Sequence, residues 1–177
     1  MLKYLCAFPF SLALILSACV SPTARFVSPQ RLAAFSQNSV SVAITLQQDV
    51  SGNLFLAATF TPASGDHLYS KDIPRDGING LGRPTLLEIP PQSGLRVTGG
   101  LTASVDDETA STGPAELKVY PPGPVTLRLP VRLPTGQGWY DDQVSVTYMA
   151  CSQTTCKAPI IGKIVRVHLP RKGQLQP

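Results

Sequence analysis

The chain has 177 residues, and its 15 lysines and arginines exceed its 11 aspartates and glutamates, which gives a formal net charge of +4. The basic residues are scattered and form no run, so the sequence lacks the concentrated positive surface that nucleic acids need, and no nucleic-acid partner is expected. The length suits about one domain, large enough to bury its own hydrophobic core.

The N-terminus has the pattern of an export signal. Lys3 precedes an apolar stretch at residues 5–16 that is too short to span a bilayer comfortably. The sequence Leu-Ser-Ala-Cys at residues 16–19 resembles the lipobox of bacterial lipoproteins, in which cleavage exposes a cysteine that carries acyl chains. We therefore expect a signal peptide at residues 1–18 and lipidation of Cys19, which would anchor the protein to a membrane of the bacterial cell envelope, facing the periplasm or the exterior. The alternative is an ordinary signal peptide with an incidental cysteine.

The first mature segment differs in pattern from the rest of the chain. Residues 19–38 contain proline, serine and scattered arginine with weak periodicity, which predicts a tether with a short helix at residues 30–35. Beyond the tether, apolar and polar residues alternate. Residues 40–46 and 53–60 predict two strands, and the turn residues 50–53 between them favour a hairpin.

The second half of the domain continues the alternation. Residues 125–133 predict a half-buried strand in which Pro130 indicates an edge or a bulge. Further strands are predicted at residues 85–89, 95–98, 116–120, 144–148 and 165–169. About eight short strands with proline- and glycine-rich connections predict an all-β fold, an antiparallel β-sandwich at residues 39–170, with a C-terminal tail at residues 171–177.

One stretch inside the sandwich lacks apolar periodicity. Residues 99–114 predict a long exposed loop, and the acidic residues 106–108 within it are expected to be solvated. The single tryptophan, Trp139, is expected to anchor the core rather than to bind a ligand.

Cys151 and Cys156 are the cysteines that remain once Cys6, in the signal, and Cys19 are set aside. Export permits a disulfide between them. An extended chain would hold their Cα atoms roughly 16 Å apart, whereas a disulfide needs about 5.5 Å. Residues 152–155 must therefore turn back if the bond forms.

The residues alone leave two roles open for this pair. A structural disulfide would contribute little, because closing so small a loop is worth roughly 2 kcal/mol on the chain-entropy model. The neighbouring cation, Lys157, favours an accessible and reducible disulfide. A structural staple and a redox centre are equally compatible with these observations.

Other chemistries have weaker support. A metal site would have to combine Cys151 and Cys156 with His67 and His168, and His168 is expected on the outward face of the last strand, where a histidine is usually solvated. The sequence has no Gly-x-Ser-x-Gly, no phosphate-binding glycine loop and no paired-carboxylate signature. No metal and no cofactor are expected.

Four segments carry a family resemblance. They are a strand running into the cysteine pair at residues 144–159, the sequence Gly-Asp-His-Leu-Tyr-Ser at residues 65–70, and the segments at residues 80–95 and 116–133. In this order, over roughly residues 40–169, they resemble the N-terminal periplasmic domain of the DsbD family of thiol:disulfide interchange proteins. The paired cysteines and the His-x-Tyr sequence are the most specific parts of the match.

The resemblance implies an immunoglobulin-like sandwich that passes electrons by thiol–disulfide exchange. It implies that Cys156 is the thiolate that engages partners, that Cys151 is the resolving cysteine, and that Tyr69 lies against the pair. An ordinary core or rim tyrosine is the alternative for Tyr69. In the family, a thioredoxin-like partner reduces the domain, which then reduces oxidised periplasmic proteins.

The chain also departs from the family. It ends at Pro177 without the membrane domain and thioredoxin domain that follow in the family, so thioredoxin-like proteins and a separate membrane electron carrier are the expected partners. The family's cap loop carries an aromatic residue, whereas the corresponding residues 99–118 have none, so weaker or different shielding is expected. We predict a lipid-anchored exchange module; the alternative is a non-catalytic binding or assembly module with a structural disulfide.

Overall fold

The computed structural model of the protein describes residues 28–175. Its elements are, in chain order, β1 (Gln30–Gln37), β2 (Val40–Gln48), β3 (Leu54–Pro62), β4 (His67–Leu68), β5 (Leu86–Glu88), β6 (Arg96–Val97), β7 (Thr102–Ala103), β8 (Glu108–Thr109), β9 (Lys118–Val119), β10 (Val125–Arg132), β11 (Trp139–Tyr148), β12 (Ala150–Cys151), β13 (Ile160–Pro170) and a 3₁₀-helix (Lys172–Leu175). The predicted signal peptide, Cys19 and the first part of the expected tether lie outside the described residues.

The strands form two larger sheets and two small ones. The larger sheet has the strand order β1-β2-β3-β10-β6, with β7 also paired to β10, and the second sheet has the order β13-β11-β5. Two-stranded sheets join β12 to β4 and β8 to β9. All of these strand pairs are antiparallel, so the predicted all-β antiparallel class is confirmed.

The two larger sheets share one hydrophobic core, which is the arrangement of a β-sandwich. Alternate residues of β2 point inward, among them Val42 and Ile44, and they belong to the same buried cluster as Val144 and Val146 of β11. Each of these side chains is at most 1 % exposed. Full burial of one such side chain contributes about 1.5–3 kcal/mol. The alternating side chains therefore stabilise the packing of the two sheets.

Pro130 lies where the pairing of β10 is interrupted. On one side β10 pairs with β3 from Val125 to Pro130. On the other side β7 pairs with Leu127–Arg128 and β6 with Val131–Arg132, which leaves a gap between them. The Pro130 carbonyl accepts from the Thr98 N–H on this interrupted side. In an antiparallel strand the N–H and C=O of one residue point to the same neighbouring strand. An N–H at position 130 would therefore point towards the gap between β7 and β6, which is why a proline is tolerated here.

The expected tether and its short helix are wrong over residues 30–37, which form the strand β1 at the edge of the larger sheet. The register of β1 against β2 shifts between Arg31 and Ala33, so one extra residue, Leu32, bulges from the ladder. This bulge removes the strict alternation and places Leu32 and Ala33 next to each other against the core. The folded domain therefore begins near Gln30 rather than at residue 39.

Two further segments are more ordered than their sequence suggests. The expected tail contains the 3₁₀-helix Lys172–Leu175, in which the Lys172 N–H bonds to the Pro134 carbonyl and Leu175 packs against the core. The expected loop at residues 99–114 is mostly exposed, as predicted, but it contains β7 and β8. Both segments are held by long-range backbone pairing, which local periodicity does not reveal.

Candidate functional site

A single long strand carries Cys151 from the core to one end of the sandwich. β11 ends at Tyr148, which is fully buried and whose hydroxyl donates to the Gln37 carbonyl at 3.1 Å. After Met149 the chain resumes as β12, where Ala150 and Cys151 pair with β4. The first cysteine is therefore held by its pairing with β4, directly after the strand that crosses the core.

The second cysteine is returned to the first by a tight turn. The Ser152 N–H donates to the Thr155 carbonyl at 2.8 Å, and the Lys157 N–H donates to the Ala150 carbonyl at 2.9 Å. Between these two bonds, Cys151 and Cys156 oppose each other as a bridge pair. In an antiparallel ladder a pair flanked in this way is a non-hydrogen-bonded pair, whose Cα atoms approach most closely.

Cys151 and Cys156 form a disulfide, with an S–S distance of 2.01 Å and a Cα–Cα distance of 4.0 Å. The turn required at residues 152–155 is therefore present. The Ser152 hydroxyl stabilises it by accepting from the Thr154 N–H at 3.3 Å and from the Thr155 N–H at 3.0 Å. A short polar side chain that bonds to backbone two and three residues ahead is typical of such turns.

The two cysteines of this bond differ in exposure. Cys151 is 2 % exposed, whereas Cys156 and its neighbours in the turn are exposed. A thiolate that attacks a disulfide must reach one sulfur along the S–S axis and expel the other. Of the two cysteines, Cys156 is the one that solvent reaches.

Tyr69 lies against the disulfide. Its hydroxyl is 3.2 Å from Cys151 Sγ and 4.0 Å from Cys156 Sγ, and it is the donor in both contacts because disulfide sulfurs carry no proton. Burial raises the pKa of Tyr69 above its usual value. The phenol therefore remains a hydrogen-bond donor at neutral pH, aimed at the sulfur that would become a thiolate.

The backbone at Gly82 passes close to the Tyr69 ring. Gly82 has a φ of +76°, and a Cβ at this position would lie 2.7 Å from Tyr69 Cδ1. The chain reaches this position through a two-residue turn at Asn79 and Gly80, both with positive φ, closed by reciprocal Ile78–Leu81 backbone bonds. Only glycine allows the backbone to pass this close to the ring.

A small aliphatic cluster shields the buried sulfur. Tyr69, Ile73, Leu117, Val119 and Cys151 pack together, separately from the main core. Leu117 and Val119 come from the β8–β9 hairpin and belong to the same buried cluster as Cys151.

One hydrogen bond ties the acidic loop to this cluster. The hydroxyl of Ser70, a residue with no exposed surface, donates to the Asp107 carboxylate. At least one of the acidic residues 106–108 therefore has a protein partner and is not simply solvated. The bond links the loop to the residue that follows Tyr69.

His67 is a further residue of the site, which the sequence indicated only as a candidate metal ligand and as part of the His-x-Tyr segment. It lies directly opposite Cys151 in the β4–β12 register, and its ring contacts the Tyr69 ring edge-on at a centroid distance of 5.6 Å. Burial lowers the pKa of His67 below its usual value, while the Asp66 charge acts in the opposite direction. The available signal was the spacing, since residues two apart on a strand share one face.

The remaining candidate residues lie elsewhere. His168 is exposed on β13, as expected, and its ring stacks on Trp139 at 5.5 Å. Trp139 is only half-buried at the start of β11, so its expected role as a core anchor is wrong; Tyr140 beside it packs against the core instead. Within residues 28–175, no group of three or more histidine, cysteine, aspartate or glutamate side chains is placed to hold a metal ion.

Comparisons with known proteins add no family assignment. No protein-family model matches the chain, and neither a curated protein nor a solved structure shows significant similarity to it. In the part of the chain that the structure describes, no helix has the length and apolar character needed to cross a membrane.

Proposed function

We propose that the protein is an exported thiol–disulfide exchange module that passes electrons between a thioredoxin-like or membrane donor and oxidised proteins of the bacterial envelope. The observation that carries the proposal is the unequal exposure of the two cysteines: Cys151 is 2 % exposed, whereas Cys156 is exposed. A staple needs no such inequality, whereas exchange needs one sulfur to be attacked and the other to leave.

The reaction follows from this asymmetry. A partner thiolate attacks Cys156 Sγ, forms a mixed disulfide and expels Cys151 as a thiolate, which the Tyr69 hydroxyl stabilises by donating to it. The partner's second thiolate then attacks the partner sulfur that is bonded to Cys156. The partner thereby forms its own disulfide, and Cys156 leaves as a thiolate. Two electrons have moved, so the partner is oxidised and the cysteine pair is reduced.

The reduced pair passes its electrons to a substrate by the same kind of exchange. The Cys156 thiolate attacks the disulfide of an oxidised envelope protein, one substrate sulfur leaves, and Cys151 attacks Cys156 to re-form the original bond. The substrate gains the two electrons. Cys156 therefore engages both partners, and Cys151 acts only within the protein.

The resemblance to the N-terminal domain of the DsbD family supports the same roles for Cys151, Cys156 and Tyr69, and it is the basis for proposing an immunoglobulin-like topology. Thioredoxin-like proteins and a separate membrane electron carrier are the proposed partners. Acyl chains on Cys19 would hold the module at a membrane of the cell envelope, because multiple chains anchor stably at about 0.8 kcal/mol per buried CH₂.

A trapping experiment tests this function. Cys151→Ala should accumulate mixed disulfides through Cys156 with thioredoxin-like proteins, because no resolving thiol remains. The matched variant Cys156→Ala, which keeps only the buried cysteine, should give few such adducts. Non-reducing electrophoresis followed by mass spectrometry of the adducts measures both.

The reduction potential of the wild-type disulfide gives a second test. An exchange centre should have a potential above about −300 mV, whereas a structural bond lies below it. Equilibration with a glutathione or thioredoxin redox buffer measures this value. A bond that resists thioredoxin, together with no adduct from Cys151→Ala, would favour the binding or assembly module with a structural disulfide.

A further inference from the structure

When Cys151 resolves a mixed disulfide at Cys156, a base other than the two cysteines must remove its proton. Cys151 must lose its proton before it can attack the mixed disulfide at Cys156, and a thiol in apolar surroundings ionises reluctantly. Cys151 is 2 % exposed among aliphatic side chains, so water has little access to it. Tyr69, whose hydroxyl lies 3.2 Å from Cys151 Sγ, is a donor and has a raised pKa, so it cannot accept the proton at neutral pH.

His67 is placed to accept that proton. Because it opposes Cys151 directly in the β4–β12 register, both side chains emerge on the same face of the small sheet. Directly opposed residues in antiparallel strands have Cβ atoms about 4.5–5.5 Å apart, within reach of an imidazole. The imidazole is also in edge-on contact with the Tyr69 ring at a centroid distance of 5.6 Å, and the hydroxyl of that tyrosine lies 3.2 Å from Cys151 Sγ.

The surroundings of His67 favour its neutral form. It is half-buried, and burial is the main reason that its pKa lies below the usual value. The titratable groups that face it are Asp66, which precedes it on the chain and acts to raise that pKa, Tyr69 from the following segment, and Cys151 across the sheet. At neutral pH the ring is therefore uncharged and has a free nitrogen lone pair.

We propose that His67 accepts the proton of Cys151 when this thiol resolves a mixed disulfide at Cys156. This inference rests on the proposed exchange function. In the disulfide state neither sulfur carries a proton, so the proton transfer takes place only while the bond is open. It gives the chain its own acid–base partner for the buried cysteine.

The step balances in protons and electrons. The Cys151 S–H bond breaks and its proton moves to the neutral imidazole of His67. The resulting thiolate forms the S–S bond to Cys156, and the electron pair of the mixed disulfide leaves with the partner's sulfur as a thiolate. The imidazolium then loses its proton to water, which restores the starting state of His67.

The aromatic disulfide DTNB allows the step to be measured without a biological partner. Reduced protein releases one coloured thiolate when Cys156 attacks the reagent and a second when Cys151 resolves the mixed disulfide. The rate of the second release, followed by stopped-flow absorbance between pH 5 and pH 9, reports proton removal from Cys151. In the wild type this rate should rise as pH increases through the lowered pKa of His67 and level off near neutral pH, because the base is active only when unprotonated.

His67→Gln should slow the second release at pH 7 by about tenfold or more, because a positioned general base typically contributes at least that factor. Its rate should instead keep rising about tenfold per pH unit up to the pKa of the thiol. His168→Gln is the matched control, since His168 is exposed and pairs with Asp141 away from the cysteines. That variant should match the wild type throughout.

The outcomes separate this inference from the exchange function itself. Equal second-release profiles for the wild type and His67→Gln would overturn the role of His67, even if Cys151→Ala traps partners. A wild-type rate that rises without levelling would overturn it too, and this result requires no variant to fold. Conversely, a levelled profile that His67→Gln abolishes supports the role of His67 even if the trapping experiment recovers no adduct.

Discussion

The large core between the sheets and the small cluster around Cys151 are built from different contacts. The core collects alternating side chains from long strands, such as Leu127 of β10, which has no exposed surface. The small cluster collects single side chains from two-residue strands and turns, such as Leu117. The comparison suggests that the core determines whether the protein folds, while the small cluster determines which sulfur solvent can reach.

The largest expected effect comes from the core. Leu127→Ala should lower the free energy of unfolding by about 3 kcal/mol, because it removes buried methyl groups and leaves a cavity. The rate at which dithiothreitol reduces the folded protein should not change, since Leu127 lies outside the cluster around Cys151. Urea unfolding and reduction kinetics under folding conditions measure the two quantities.

The same substitution in the small cluster provides the contrast. Leu117→Ala should cost about 2 kcal/mol, at the lower end for a buried leucine, because the surrounding short strands can relax into the space. It should accelerate reduction by dithiothreitol, since Leu117 shields the site of Cys151. If Leu127→Ala accelerates reduction equally, global stability rather than local cover governs access to the sulfurs, and the comparison fails.

The disulfide itself should contribute less than the core. The reduced protein should lose at most about 2 kcal/mol of unfolding free energy, because the loop closed between Cys151 and Cys156 is short. Its far-ultraviolet circular dichroism should remain that of the oxidised form. Loss of the β spectrum on reduction would show that the bond is a structural requirement.

The smallest expected difference in unfolding free energy is between alanine substitutions at Gly82, next to the Tyr69 ring, and at Gly65. Gly82→Ala and Gly65→Ala both place a side chain at positive φ, which costs about 1–2 kcal/mol. At Gly65 the added Cβ meets nothing within 4 Å, whereas at Gly82 it would lie 2.7 Å from the Tyr69 ring. Gly82→Ala should therefore cost about 1 kcal/mol more.

Redox measurement extends the glycine comparison to the site. By displacing the Tyr69 hydroxyl from Cys151, Gly82→Ala should shift the reduction potential of the disulfide, and Gly65→Ala should leave it unchanged. Equal potentials for the two variants would mean that the Tyr69 hydrogen bond does not tune the pair.

The parts of the fold that were predictable are those in which one residue in two faces the core. β2, β3 and β10 follow that rule, and their predicted bounds differ from the observed ones by a few residues. β13 begins at Ile160, five residues before its predicted start, because the register against β11 shifts between Val146 and Tyr148 and breaks the alternation. β1 escaped prediction for the same reason, through the bulge at Leu32.

The site was predictable only in part. Cysteine spacing located the pair and required the turn, and a family resemblance suggested the position of Tyr69. The different burial of Cys151 and Cys156 and the approach of Gly82 to the Tyr69 ring could not be predicted, because they depend on which short strands meet at the end of the sandwich. The same holds for the pairing of His67 with Cys151.

The edge strand β1 connects the amino-terminal side of the domain to the end of the sandwich that carries the disulfide. Its turn into β2 begins at Asn38, whose side-chain amide donates to the Ala158 carbonyl at 2.7 Å, two residues beyond Cys156. A force that pulls the chain ahead of Gln30 along the strand would load the β1–β2 ladder in shear and then reach the segment after the turn through Asn38. Because the Gln37 carbonyl also accepts from the Tyr148 hydroxyl, three residues before Cys151, the end of β1 is bonded to the chain on both sides of the disulfide.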